Sequence, residues 1–137
     1  MSMKRMLPIL LIMTLLLTGC TAPAPKPVPE ANTYRRITMQ EAVEMMEKEE
    51  NYIILDVRTH EEFAAGHIPG AIVIPNETIG TEEIPQLPDK DQLIMVYCRS
   101  GNRSKQASDK LVKLGYTRIV EFGGIIDWPG ETVSGME

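Results

Sequence analysis

Two cysteines, Cys20 and Cys98, and two histidines, His60 and His67, are all that this chain of 137 residues has of those types. So few thiols build no disulfide framework. The histidines stand seven apart, with His67 in a Gly/Pro turn, and no neighbouring thiol completes a metal-ligand set. Positive charge is also scarce. The formal net charge of -5 argues against nucleic acid as a partner. Long hydrophobic runs are missing too: the apolar stretch from Met6 to Leu17 falls short of the roughly twenty residues a spanning helix needs.

What is present is concentrated around Cys98, in the run Tyr97-Cys98-Arg99-Ser100-Gly101-Asn102-Arg103-Ser104. The apolar segment Leu93–Tyr97 reads as a buried strand, and from Ser104 onward Ala107, Leu111 and Leu114 recur at helical spacing. The thiol therefore sits where a strand hands over to a helix. The first amides of a helix lack intrahelical partners and carry the positive end of its dipole, so they favour an anion such as a thiolate. Arg99 and Arg103 add positive charge that lowers a cysteine pKa, and Gly101 permits the backbone to curl its amides inward as a nest. Free cysteine alone is more often a small buried hydrophobe. Here glycine, two arginines and the strand-to-helix junction coincide, which favours a nucleophile.

The loop from Cys98 to Arg103 resembles the six-residue active-site loop of the rhodanese family of sulfurtransferases. Leu55-Asp56-Val57-Arg58, Glu61-Glu62-Phe63, Gly66-His67-Ile68-Pro69-Gly70-Ala71 and Ile74-Pro75 resemble its first signature. Gly123-Gly124 and Asp127-Trp128-Pro129-Gly130 resemble its closing motif. The likeness covers the chain from about Tyr34 to the C-terminus. It implies a rhodanese-like three-layer α/β fold, with a central, mostly parallel five-stranded sheet flanked by helices. It also implies double displacement through a Cys98 persulfide, with a small anionic donor such as thiosulfate and a thiol or cyanide as acceptor. Arg99, Ser100, Gly101, Asn102, Arg103 and Ser104 would bind the donor, and no cofactor is called for. In similar proteins the acid at the position of Asp56 helps hold the catalytic loop; Asp56 and Arg58 read equally well as a structural ion pair or as substrate contacts.

Two other functions are weighed against the same residues. A phosphatase or arsenate reductase on the same fold has a seven-residue loop with arginine six positions after the cysteine, whereas Arg103 is five on. A non-catalytic sulfur-binding or sensing module would keep Cys98 equally well.

Residues 1–19 carry Lys4-Arg5, the apolar stretch and small residues, the makings of a secretory signal. Leu17-Thr18-Gly19-Cys20 resembles the lipobox of bacterial lipoproteins, which implies cleavage before Cys20 and lipidation of its thiol. Two acyl chains suffice to hold a protein on a membrane. Residues 20–33, rich in alternating prolines from Pro23 to Pro29, read as an extended tether, and 34–137 as the domain. The expected product is exported and lipid-anchored to a bacterial membrane, its net charge shifted to about -7 by loss of Lys4 and Arg5. Cys98 would then have no cysteine partner, so sulfur loaded on it must leave to an external acceptor.

Within the domain, Thr38-Met39-Gln40-Glu41 and Thr59-His60-Glu61-Glu62 predict capped helices ending near Glu49 and Ala65. Strands are expected at 52–55, 71–74, 93–97 and 118–120. Residues 77–87 are expected as loop with a helical turn, and 104–114 as a helix closed by Gly115.

Overall fold

The computed structural model describes residues 33–136, together with Gly19. The remaining leader residues, Cys20 and the tether as far as residue 32 lie outside the described residues. Strand β1 is Arg35–Arg36, helix α1 Met39–Lys48, strand β2 Tyr52–Asp56, helix α2 His60–Ala65 and strand β3 Ile72–Val73. Strand β4 is Leu93–Cys98, helix α3 Asn102–Lys113 and strand β5 Ile119–Gly124. The strands form one sheet in the order β1-β5-β4-β2-β3, and every pair in it is parallel.

Alternation along β4 separates two cores. Leu93, Met95 and Tyr97 pack with Ala42 of α1 and Phe63 of α2, while Ile94, Val96 and Cys98 pack with Ala107 and Leu111 of α3. Successive strand side chains point to opposite faces, so a sheet buried on both sides yields helix, sheet and helix layers. The expected three-layer α/β fold with a five-stranded sheet is what the chain adopts.

Both capping boxes form: Thr38 and Glu41 close on each other's backbone amides at the start of α1, and Thr59 and Glu62 do the same at α2. The face α1 buries is centred on Ala42, with Met39, Met45 and Met46 against the core. Residues 76–78 make a short 3-10 turn that starts one residue before the loop expected at 77–87. Helix α3 begins at Asn102, two residues before Ser104, because Gly101 serves as its N-cap; it is capped at Leu114, one residue before Gly115. Strand β3 is shorter than expected and β5 longer, running past Val120 to Gly124. Strand β1, with both residues exposed, has no periodicity that would announce it. Among the described residues no helix is long and apolar enough to cross a membrane.

Candidate active site

Parallel strands align their carboxyl ends, the edge at which ligands bind in such sheets. Asp56 pairs with Tyr97 across β2 and β4, so Asp56 and Cys98 reach that edge together. Cys98 faces α3, and its loop turns back over the sulfur through Gly101, whose φ of 108° is a left-handed conformation that suits glycine. The Gly101 amide donates to Cys98 Sγ at 3.0 Å. Beneath the loop, a Cβ added to Gly124 would stand 1.9 Å from the Arg99 carbonyl oxygen, so that position requires glycine. The loop is further pinned by the Ile126 amide, which donates to the Arg99 carbonyl at 3.3 Å.

Burial pushes the Cys98 thiol up, but the Ser104 hydroxyl and the amides of Ser104, Gly101 and Ser100 outweigh it, and the pKa falls below that of an ordinary cysteine. Hydrogen bonds to the sulfur lead this lowering, which matches the loop amides the sequence pointed to and adds the Ser104 hydroxyl to them. Cys98 keeps only 1% of its surface accessible, so the thiol is the floor of the loop.

The arginines have separate fates. Arg103 donates through Nη1 to Glu62 Oε2 at 2.7 Å and through Nη2 to Oε1 at 3.0 Å, a two-pronged ion pair from α3 to α2. That contact, with help from the Thr59 amide, lowers the Glu62 carboxyl to about 2. Arg99 is exposed and lines a groove of about 470 Å³ beside the loop, shared with Arg58, Glu62, Ile125, Ile126 and Thr132. Ser100 and Asn102 are exposed on the loop rim, and Gly101 and Ser104 are buried.

Asp56 and Arg58 form a buried ion pair with each other. Arg58 Nη2 donates to Asp56 Oδ2 at 2.7 Å and Nε to Oδ1 at 3.0 Å, while Nη2 also donates to the Gly66 carbonyl at 2.7 Å. Burial raises the nearby Tyr97 hydroxyl, as does the Asp56 charge, so it stays protonated and accepts from the Ile68 amide at 3.1 Å. Asp56 therefore reaches the loop's strand, β4, through Tyr97.

Two residues at the site escape a reading of the sequence. Glu62 shows there as a capping residue and within the resembled first signature, with no link to the loop after Cys98. Glu121 is buried at 2% exposure on β5; its Oε1 accepts from Ser104 Oγ at 2.6 Å and from the Gly123 amide at 2.8 Å. The signal was a lone acid inside the apolar run 119–122. Among the described residues no three His, Cys, Asp or Glu side chains group as metal ligands. His67 is buried, stacked on Phe63 and bonded through Nδ1 to the Phe63 carbonyl at 2.8 Å.

Comparison with known proteins agrees with this geometry. Residues 38–130 match the rhodanese-like domain family. The chain is 37% identical over 73 residues to the thiosulfate sulfurtransferase PspE of Escherichia coli, covering 53% of this chain and 70% of that protein. It is 43% identical over 82 residues to a sulfurtransferase of Allochromatium vinosum, covering 58% and 73%. Among solved structures, a rhodanese with anions from E. coli superimposes with a TM-score of 0.56 at 36% identity, over 61% of this chain and 99% of that one.

Proposed function

The chain belongs to the rhodanese-like family, and from that premise we propose that it is a sulfurtransferase of the thiosulfate type, carrying sulfane sulfur on Cys98. The observation that carries this reading is the Cys98 thiol, lowered by a hydroxyl and loop amides that all converge on one sulfur. The thiolate attacks the outer sulfur of thiosulfate, the sulfur–sulfur bond of the donor breaks, and sulfite leaves with its electron pair. The resulting Cys98 persulfide passes its outer sulfur to cyanide or a thiol, and the thiolate returns. Splitting one transfer into two displacements predicts ping-pong kinetics.

Loop amides suit both steps, since a persulfide anion, like a thiolate, is stabilised by inward N–H groups. Arg99, exposed beside the groove, is placed to draw the dianionic donor, while Arg103 is engaged by Glu62 and orients the start of α3. The six-residue loop favours sulfur over a tetrahedral phosphate or arsenate. The export and lipid attachment implied by residues 1–20 belong to the same proposal: the enzyme works outside the cytosol, tethered through Cys20.

The test is thiosulfate:cyanide sulfurtransfer by the purified protein and by Cys98→Ser. The wild type is expected to turn over with parallel double-reciprocal lines and the variant to be inactive. Equal rates, or no rate with a persulfide that forms but never discharges, would remove the enzymatic reading; the latter outcome describes a sulfur-binding module. Cys98-dependent hydrolysis of p-nitrophenyl phosphate would replace it with a phosphatase. Intact mass after thiosulfate treatment reads the sulfur on Cys98 and the lipid on Cys20 together.

A further inference from the structure

Ser104 carries one hydroxyl proton and faces four partners, three oxygen acceptors and the Cys98 sulfur, which becomes an acceptor on losing its proton. Its Oγ lies 2.6 Å from Glu121 Oε1, 2.9 Å from the Gly101 carbonyl, 3.4 Å from the Gly123 carbonyl and 3.5 Å from Cys98 Sγ. Two of the four, Glu121 and Cys98, become anions when they ionise. A carboxylate accepts only, and so does a thiolate, so a single proton cannot serve both. The contest is set up by the strands. Glu121 pairs with Val96 in the β5–β4 register, and alternation puts Glu121, Val96 and Cys98 on the face that α3 covers. Ser104, in the first turn of α3, is the bridge between them.

We propose that Glu121 is a positioning residue that sets the ionisation of Cys98 through Ser104, its carboxylate competing with the thiolate for one hydroxyl proton. In the structure the Ser104 hydroxyl points to the carboxylate, and the Cys98 S–H donates to Ser104 Oγ. When Cys98 loses its proton to solvent, the hydroxyl must turn toward sulfur. Glu121 Oε1 then retains the Gly123 amide alone, and two negative charges share a buried site. The carboxylate thus holds back a thiolate that the loop amides promote. Charged groups around the pair are Arg36 of β1, whose Nε is 3.5 Å from Glu121 Oε2, and Arg103 of α3, itself held by Glu62 of α2. Arg36 offsets the Glu121 charge from an exposed position. On the sulfurtransferase reading above, loading sulfur moves the negative charge to the outer atom of the persulfide, away from Glu121, and returns the hydroxyl to the carboxylate. Coupling between Glu121 and Cys98 does not depend on that reading and is tested without any sulfur donor.

The experiment is the pH dependence of iodoacetamide alkylation at Cys98 in the full chain, followed by mass spectrometry of the Cys98 peptide. In Glu121→Gln the midpoint is expected to move down by about one pH unit, making alkylation on the acid side about tenfold faster. In Arg36→Gln, which removes an exposed side chain, the midpoint is expected to move up. A folded Glu121→Gln protein whose midpoint stays put or rises overturns the coupling, since a purely structural role slows the reaction at every pH without shifting its midpoint. Should Glu121→Gln fail to fold, Arg36→Gln decides alone: an upward shift supports the coupling, and an unmoved or lowered midpoint overturns it.

Discussion

Arg103 and Glu62 meet through two hydrogen bonds of 2.7 and 3.0 Å, joining the first turn of the helix after the reactive loop to the capping residue of α2. Glu62 thereby holds four donors, since its Oε2 also accepts from the Thr59 amide at 2.9 Å and the Thr59 hydroxyl at 3.1 Å. One carboxylate both starts a helix and anchors the far end of the loop after Cys98.

That carboxyl is lowered from 4.5 to about 2, chiefly by the Arg103 hydrogen bonds. A depressed folded-state pKa contributes stability that is fully present above the unfolded value and is lost as pH falls through the folded one. Denaturant unfolding of the wild type should therefore lose about 1 kcal/mol from this group between pH 4.5 and 2, the size being reduced by solvent screening of a pair that is about a third exposed. The stability gap to Glu62→Gln should narrow over the same window. A gap constant across it would separate the ion pair from the acid limb.

Arg99 and Arg103 should part company on substitution. Arg99→Ala removes an exposed charge beside the groove and is expected to raise KM for thiosulfate about tenfold with an unchanged melting temperature. Arg103→Ala breaks the tie to Glu62 and should lower the melting temperature as well. Steady-state kinetics and thermal melts on both variants check this; an unmoved KM in Arg99→Ala counts against its role in drawing the donor.

Gly124→Ala places a methyl 1.9 Å from the Arg99 carbonyl oxygen, a backbone atom of the reactive loop that cannot rotate aside. The loop must lift from β5, at a cost of about 2 kcal/mol or more. Sulfurtransferase activity should fall further than stability does, because the Gly101 amide and Cys98 Sγ move relative to each other. Activity retained in a fully folded variant would show the loop to be more compliant than its packing indicates.

Asp56→Ala leaves the Arg58 guanidinium buried at 6% exposure without its carboxylate. Removing one partner of a buried pair costs about 3–5 kcal/mol, a large share of a small domain's stability. Urea unfolding midpoints of the wild type and variant measure it. Arg58→Met leaves Asp56, at 0% exposure, as the orphaned charge and should cost a similar amount, whereas the double variant Asp56→Ala/Arg58→Met, which removes both charges, should cost less than the two single losses combined.

Much of the site was legible because its signals are local. Helix α3 starts where Gly101 allows the turn, and the buried run Leu93–Cys98 announces the strand that delivers the sulfur. The capping boxes at Thr38 and Thr59 are patterns of four residues, visible without any tertiary contact. Strand β1 was not legible, since Arg35 and Arg36 pair with β5 while their side chains stay in solvent. The extension of β5 past Val120 was missed for the opposite reason: Glu121 interrupts an apolar run, and only burial against Ser104 explains a carboxylate there.

From the sequence alone came the place of Cys98 at a strand-to-helix junction, the length of its loop and the alternation that makes an α/β sheet, because each depends on residues close together in the chain. Tertiary structure decided the partners. Arg103 meets Glu62 across a sequence gap of 41 residues and Ser104 meets Glu121 across 17, contacts that no periodicity encodes. Packing α3 on β4 and β5, with its first turn at the carboxyl edge of the sheet, gives the Arg103 hydrogen bonds to one carboxylate and the Ser104 hydroxyl to another, and the loop amides with that hydroxyl hold the sulfur.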